Sequence, residues 1–195
     1  MIKLSLKKLE QKLGFKLRKN TMCLGVDTAS TTGLALISVI GSKVIINYSI
    51  FQLPKIPKKI ADQMEKAEKY EQAMDSALNL IRDYKNQITV KAPSILVLEQ
   101  SFLSINPETF GYLRSLQGVF YSELYDSFDV IKIYLATVAR KLVGFHSVLP
   151  RGTKSTEKKK EIMQFISKII DTEIKDDNIA DAILLALAGL KEVTK

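Results

Sequence analysis

The sequence predicts an α/β fold: a five-stranded mixed sheet, three antiparallel strands followed by two parallel ones, flanked by helices. Three patterns point to it. Residues 22–27, 33–40 and 43–51 are rich in Val, Ile, Leu and Tyr and follow one another closely, with Gly41-Ser42 as a hairpin turn between the last two. Two further apolar runs, Ser94-Ile95-Leu96-Val97-Leu98 and Val130-Ile131-Lys132-Ile133-Tyr134, each follow a segment of helical apolar spacing, as parallel strands reached by crossovers require. The remainder, to the C-terminus, reads as helix and loop.

Composition bounds what such a fold can do. With 195 residues, 46% of them hydrophobic, the chain is long enough for one core, and a domain of this size buries roughly 70% of the surface of its unfolded chain. Lys and Arg total 29 against 21 Asp and Glu, a net charge of +8, which favours a polyanionic partner, nucleic acid first. Cys23 is the only cysteine and lies in an apolar run, which excludes a disulfide framework and a thiolate metal cluster. No apolar run approaches the roughly 20 residues of a membrane span, and the first residues lack the apolar core of a secretory signal. A soluble, intracellular, cytoplasmic protein is expected.

Taken in order, residues 1–20 hold seven basic residues against Glu10 alone, +6 of the total +8. Ile2, Leu6, Leu9 and Leu13 recur at helical spacing, which predicts a basic amphipathic helix broken near Gly14 and set as an extension before a domain of residues 21–195. Packing on the domain with solvated lysines, contact with DNA, a membrane surface and an organelle presequence all fit that composition. After the three-stranded meander, prolines at 54 and 57 break the pattern, and Met64, Ala67, Met74, Ala77, Leu78 and Ile81 mark a helix over residues 60–84. The strand at 94–98 is apolar throughout, as a strand buried on both faces requires. A polar loop leads to a helix over 107–125 that Pro107 suits as its first residue. A short helix is predicted over 137–144. The loop 145–156 is rich in Gly, Ser, Thr and base, and Lys158, Lys159 and Lys160 lie in the first turns of the next helix. Positive charge there opposes the helix dipole and makes better sense beside a phosphate. The last helix opens on Asp176-Asp177-Asn178-Ile179-Ala180-Asp181.

The acids are the informative residues. Asp27 ends the first strand; alone, it reads as a charged strand tip facing water sooner than as a metal ligand. Glu99 ends the fourth strand, and if the intervening helix is a right-handed crossover, both acids project from one edge of the sheet. Asp177 and Asp181 are four apart and share a helical face. Asp176 is accounted for as an N-cap. Asp181 is not, because it lies between Ala180 and Ala182 inside an apolar helix, where an unpaired carboxylate is costly. A cation or a close partner is implied.

Acids at the tips of the first and fourth strands and at the start of the terminal helix resemble the ribonuclease H-like nucleases, and within them the RuvC-type Holliday junction resolvases. Glu99-Gln100-Ser101-Phe102 with Asn106, then Leu116-Gln117-Gly118, resembles that family's EQxF, N and G pattern. Leu142-Val143-Gly144 is similar to its VxG segment, and residues 177–182 to its closing D-x-x-A-D-A run. The resemblance runs from about Leu24 to Leu187 and leaves residues 1–20 outside; so compact a chain would suit a phage or viral member.

The resemblance implies that Asp27, Glu99 and Asp181 are catalytic ligands of Mg²⁺ or Mn²⁺, two ions per site. The family's fourth ligand commonly stands three positions before the last, where this chain has Asn178; Asp177, four before, is taken as the ligand, with Asn178 as the alternative. It further implies that Phe102 stacks on bases at a junction centre, that Asn106 belongs to the same DNA-contacting loop, and that Lys159 lies near the scissile phosphate with Lys158 beside it. Arg140 and Lys141 fall near a basic position of the family but are offset from it, and Lys154 sits in a loop longer than usual. Branched DNA, four-way junctions above all, is the implied partner, and a homodimer the implied assembly, with Phe110, Leu113, Leu116, Val119 and Phe120 serving an interface or the core equally well.

The chemistry is consistent, since carboxylates are hard oxygen ligands suited to Mg²⁺ or Mn²⁺ and such ions support in-line attack on a phosphodiester. No small-molecule cofactor and no membrane are called for, and His146, the only histidine, reads as an ordinary polar residue. Two alternatives stand beside the crossover junction endodeoxyribonuclease: a non-catalytic branched-DNA-binding module on the same fold, favoured by Asn178, and a lobe of the actin-like ATPases and kinases, suggested by Asp27-Thr28-Ala29-Ser30-Thr31-Thr32-Gly33. Chain length argues against the latter, which needs two lobes.

Overall fold

A computed structural model of the chain describes residues 1–29, 31–52, 65–91, 93–101, 107–150 and 152–192. Six strands, β1 (Ile2–Ser5), β2 (Thr21–Asp27), β3 (Thr31–Ile40), β4 (Lys43–Gln52), β5 (Ser94–Glu99) and β6 (Val130–Tyr134), form one sheet in the order β1-β4-β3-β2-β5-β6. The helices are α1 (Leu6–Leu13), α2 (Lys66–Gln87), α3 (Pro107–Leu124), α4 (Ala136–Val143), α5 (Ser155–Ile170) and α6 (Asp177–Glu192). As expected, β2, β3 and β4 are antiparallel, and β5 and β6 are parallel to β2 and to each other. No helix among the described residues is long and apolar enough to cross a membrane.

The sheet has six strands where five were expected. The additional one is β1, paired antiparallel with β4 from Ile2 opposite Ile46 to Ser5 opposite Lys43. It was hidden because four residues are too few to establish an alternation, and Ile2 falls in helical phase with Leu6, Leu9 and Leu13. The helix begins only at Leu6, whose N–H donates to the Ser42 carbonyl in the β3–β4 turn at 2.9 Å. Leu6, Leu9 and Leu13 are buried, so the apolar stripe packs on the domain, one of the readings its composition allowed. Lys8 and Lys12 pair with Asp171, and Lys12 also donates to the Lys168 carbonyl at 2.7 Å, placing positive charge where the carbonyl end of α5 favours it.

Alternation of side chains assigns the faces. Along β2 and β5, Leu24, Val26, Leu96 and Leu98 meet α2 and α3, where Ala77, Ile81, Leu116 and Phe120 complete a core. Cys23, Ile95 and Val97 point the other way, into a second core built with α1, α4, α5 and α6. Because successive side chains alternate, Asp27 and Glu99 belong to this second face, the one that α6 covers.

α6 lies unusually close to the sheet. A Cβ at Gly25 would stand 2.1 Å from the Ala182 carbonyl and 2.6 Å from the Ala186 N, and one at Gly33 would stand 2.0 Å from the Asn178 carbonyl. Only glycine permits these approaches, at positions one turn apart along α6. Small residues on the helix and glycines on the strands therefore set the height of its first turns over the tip of β2.

Candidate active site

The register of the parallel pair brings the two strand-tip acids together: Val26 is level with Leu98, so Asp27 and Glu99 follow as neighbours on the α6 face. The β2–β3 turn is pinned by buried Thr32, whose Oγ1 donates to the Ala29 carbonyl at 2.7 Å and accepts from the Ala29 N–H at 3.3 Å. Glu99 is held through its main chain. Its carbonyl accepts from Gln117 Nε2 at 3.0 Å and from Thr28 Oγ1 at 3.4 Å, while Gln100 N–H donates to the Tyr134 carbonyl at 2.7 Å, continuing the pairing with β6. Asp176 caps α6, its Oδ1 accepting from the Ile179 N–H at 3.0 Å, as its place before the helix predicted.

Electrostatics link Asp27 and Asp181 to the neighbouring acids. Asp27 is 8% exposed, and its carboxyl is pushed well above the carboxylate range, first by burial, then by a hydrogen bond and repulsion from Glu99, and by the charges of Asp181 and Asp177. Burial and the neighbouring acids therefore favour the protonated form of the Asp27 carboxyl. Asp181 is also raised: burial is the largest cause, Arg140 opposes it, and Glu99 and Asp177 add to it. Asp177 thus acts on both. The Asn178 main-chain carbonyl lies over Gly33.

Two cations of the chain meet the acids. Arg140 on α4 donates from Nη2 to Asp181 Oδ1 and Oδ2 at 3.2 and 3.4 Å. Lys159 on α5 pairs with Asp177, a contact that raises its pKa, with Asp181 and Asp27 adding to the effect. With side chains engaged in this way, no group of three or more His, Cys, Asp or Glu among the described residues is gathered as an ion-holding set. The donor set itself fits a hard divalent cation, since carboxylate oxygens are the ligands that Mg²⁺ or Mn²⁺ prefers and a cation would offset their like charge.

The other expected residues fall as follows. Lys141, Lys154 and Lys158 are exposed; Lys154 sits at the start of α5, where its carbonyl accepts from the Glu157 and Lys158 N–H groups, and Lys158 and Arg140 line one cleft of about 230 Å³. His146 is exposed just after α4. Phe102 and Asn106 lie outside the described residues. Within the helix considered for an interface, Leu116 and Phe120 are core residues. Sequence reasoning missed the supporting roles of Thr28, Thr32 and Gln117. Gln117 could have been found, since it stands beside Leu116 on the core side of an apolar helix, where a polar group needs a partner.

The architecture is the ribonuclease H-like fold of RuvC. The structure resembles Thermus thermophilus RuvC in complex with a Holliday junction substrate, with a TM-score of 0.58 and 13% identity over 89% of this chain and 95% of that one. Thermus thermophilus RuvC in a second structure gives a TM-score of 0.58 and 14% identity over 89% and 95%. The yeast mitochondrial Holliday junction resolvase Ydc2 gives 0.52 and 16% over 94% of this chain and 83% of that one. No protein-family model matches the sequence, and no curated protein matches it.

Proposed function

We propose that the chain is a structure-selective endodeoxyribonuclease that hydrolyses phosphodiesters in four-way junctions or other branched DNA and depends on Mg²⁺ or Mn²⁺. The observation that carries this reading is the placement of Asp27 and Glu99 at adjacent strand tips, on the face covered by the helix whose first turns hold Asp177 and Asp181. A fold needs no such cluster for stability; a cation site does. Likeness to resolvases that act on junctions supports the substrate class.

Asp27, Glu99 and Asp181 would hold the ions, with Asp177 as the fourth ligand. Bound Mg²⁺ or Mn²⁺ supplies Lewis acidity at the phosphodiester and activates water for in-line attack. Gln117 and Thr28 fix the Glu99 main chain, so that carboxylate swings about few bonds. Lys158, Lys154 and Lys141 offer exposed charge to neighbouring phosphates, and Phe102 and Asn106 would meet bases. Two copies would present two such sites to a junction. Tyr121 and Tyr125, exposed on the same side of the molecule as one another and stacked with centroids 6.3 Å apart, are better placed for that interface than buried Leu116 and Phe120.

The test is cleavage of a labelled four-way junction, a fork and a linear duplex with Mg²⁺, Mn²⁺ or chelator. Metal-dependent cutting of the branched substrates, lost in Asp27→Asn and Asp181→Asn, is expected. Binding without cutting under every condition would establish the non-catalytic module instead.

A further inference from the structure

Arg140 is paired below its capacity. A guanidinium meets a carboxylate best with two parallel N–H groups, one per oxygen. Here a single nitrogen, Nη2, is divided between the two oxygens of Asp181 at 3.2 and 3.4 Å. Nε, the other donor on the same edge, is buried and has no hydrogen-bond partner among the described residues. That edge, Nε beside Nη2, matches two oxygens of one phosphate group. The pairing is also the main attraction that Asp181 receives, in a setting where burial, Glu99 and Asp177 all disfavour its charge. Lys159 likewise pairs with Asp177.

A guanidinium and a divalent cation compete for such a carboxylate: they use the same lone pairs and repel each other at close range. We propose that Arg140 is an exchangeable counter-ion of Asp181, which a divalent cation displaces and which then turns its Nε–Nη2 edge onto a DNA phosphate, with Lys159 doing the same from Asp177. This rests on the reading of the four acids as a cation site. The exchange couples the two ligands: a phosphate that holds Arg140 away from Asp181 favours the cation, and by reciprocity the cation favours the phosphate. Arg140 then discourages the acids from holding a cation before DNA arrives.

The decisive measurement is Mn²⁺ binding to the full chain, stripped with chelator, without DNA, by titration calorimetry or by the electron spin resonance of free Mn²⁺. Arg140→Gln should bind Mn²⁺ about tenfold more tightly than wild type, a difference of ~1.4 kcal/mol, and Arg140→Lys should fall between them. Equal or weaker binding by Arg140→Gln, with Mn²⁺ bound by the wild type, overturns the exchange and leaves the cation site standing. Failure of both to bind Mn²⁺ overturns the cation site and the exchange together. Should Arg140→Gln fail to fold, the wild-type Arg140 Nε–H resonance decides: it should shift as Mg²⁺ is added, and a resonance unmoved at saturating Mg²⁺ overturns the proposal.

Discussion

At the scale of the residue, Asp27 combines burial with three like-charged neighbours, and that combination has a thermodynamic sign. A carboxyl whose folded pKa lies above its unfolded value keeps a proton that the unfolded chain releases from about pH 4 upward. Over that window the native state binds more protons than the unfolded state, so stability falls as pH rises through the folded value. Asp181, also raised, acts in the same direction. Without divalent metal the protein should therefore melt at a higher temperature in mild acid than at neutral pH, as far as these two groups govern it. Replacing Asp27 by Asn removes a charge that the site repels and leaves an amide able to donate to Glu99. Asp27→Asn should abolish cleavage while stabilising the chelated protein by about 1–2 kcal/mol, raising Tm by a few degrees at neutral pH and little in acid. Melting curves from acid to neutral pH in chelator check this; a variant less stable than wild type at neutral pH would show that Asp27 is a structural acid.

At the scale of the element, the site depends on how close α6 comes to the sheet. The acids on α6 meet those on β2 and β5 because Gly25 and Gly33 let main chain touch main chain. A methyl group at Gly25 would press on the Ala182 carbonyl and Ala186 N, main-chain atoms that cannot rotate aside, and strain of this kind costs about 1–3 kcal/mol or more. Gly25→Ala should lose about 3 kcal/mol, with a Tm drop of roughly 6–12 °C. Gly118→Ala is the control: it lies within helix α3 with open space around its Cβ position and should gain up to ~1 kcal/mol. Thermal melts of the two variants compare them directly, and a harmless Gly25→Ala would mean that α6 is free to lift. These contacts also explain what could be read in advance. The strands and helices from residue 21 onward were legible because their periods are long and regular, and Asp181 was legible because an acid inside an apolar helix demands a partner. The closeness of α6 was not: Gly25 in a strand and Ala182 in a helix reveal nothing until topology stacks them. Nor was β1, since Ile2 and Leu4 alone cannot distinguish a strand from the helix that follows. Arg140 was read as a residue for DNA, and its hold on Asp181 depends on the packing of α4 beside α6, which no spacing within either segment encodes.

At the scale of the whole molecule, the charge concentrated at the N-terminus and the acid site occupy different ends of the sheet. Ser5, where β1 passes into α1, is level with Lys43, whereas Asp27 is level with Gly33 and through it with Ile50. Lys43 to Ile50 is seven residues along β4, about 23 Å at the rise of an extended strand. Part of that basic charge is also answered within the chain, Lys8 and Lys12 by Asp171 and Lys16 by Glu10. The bases that touch the acids are instead Arg140 on α4 and Lys159 near the start of α5, and Lys158 lines the same cleft as Arg140. A protein that places a phosphodiester at Asp27 should take its salt dependence from this second group. Each lost phosphate contact lowers the slope of log affinity against log salt by about 0.9. Lys141→Gln/Lys154→Gln/Lys158→Gln should therefore reduce the slope for a four-way junction by about 2–3, with affinity falling at low salt and converging on wild type at high salt. Lys3→Gln/Lys7→Gln/Lys19→Gln removes the same charge from the distal end and should change the slope by less than about 1. Equal losses from the two sets would mean that the junction reaches the length of the sheet and that α1 grips it; a loss confined to the distal set would place the DNA away from the carboxylates and remove the ground for their catalytic role.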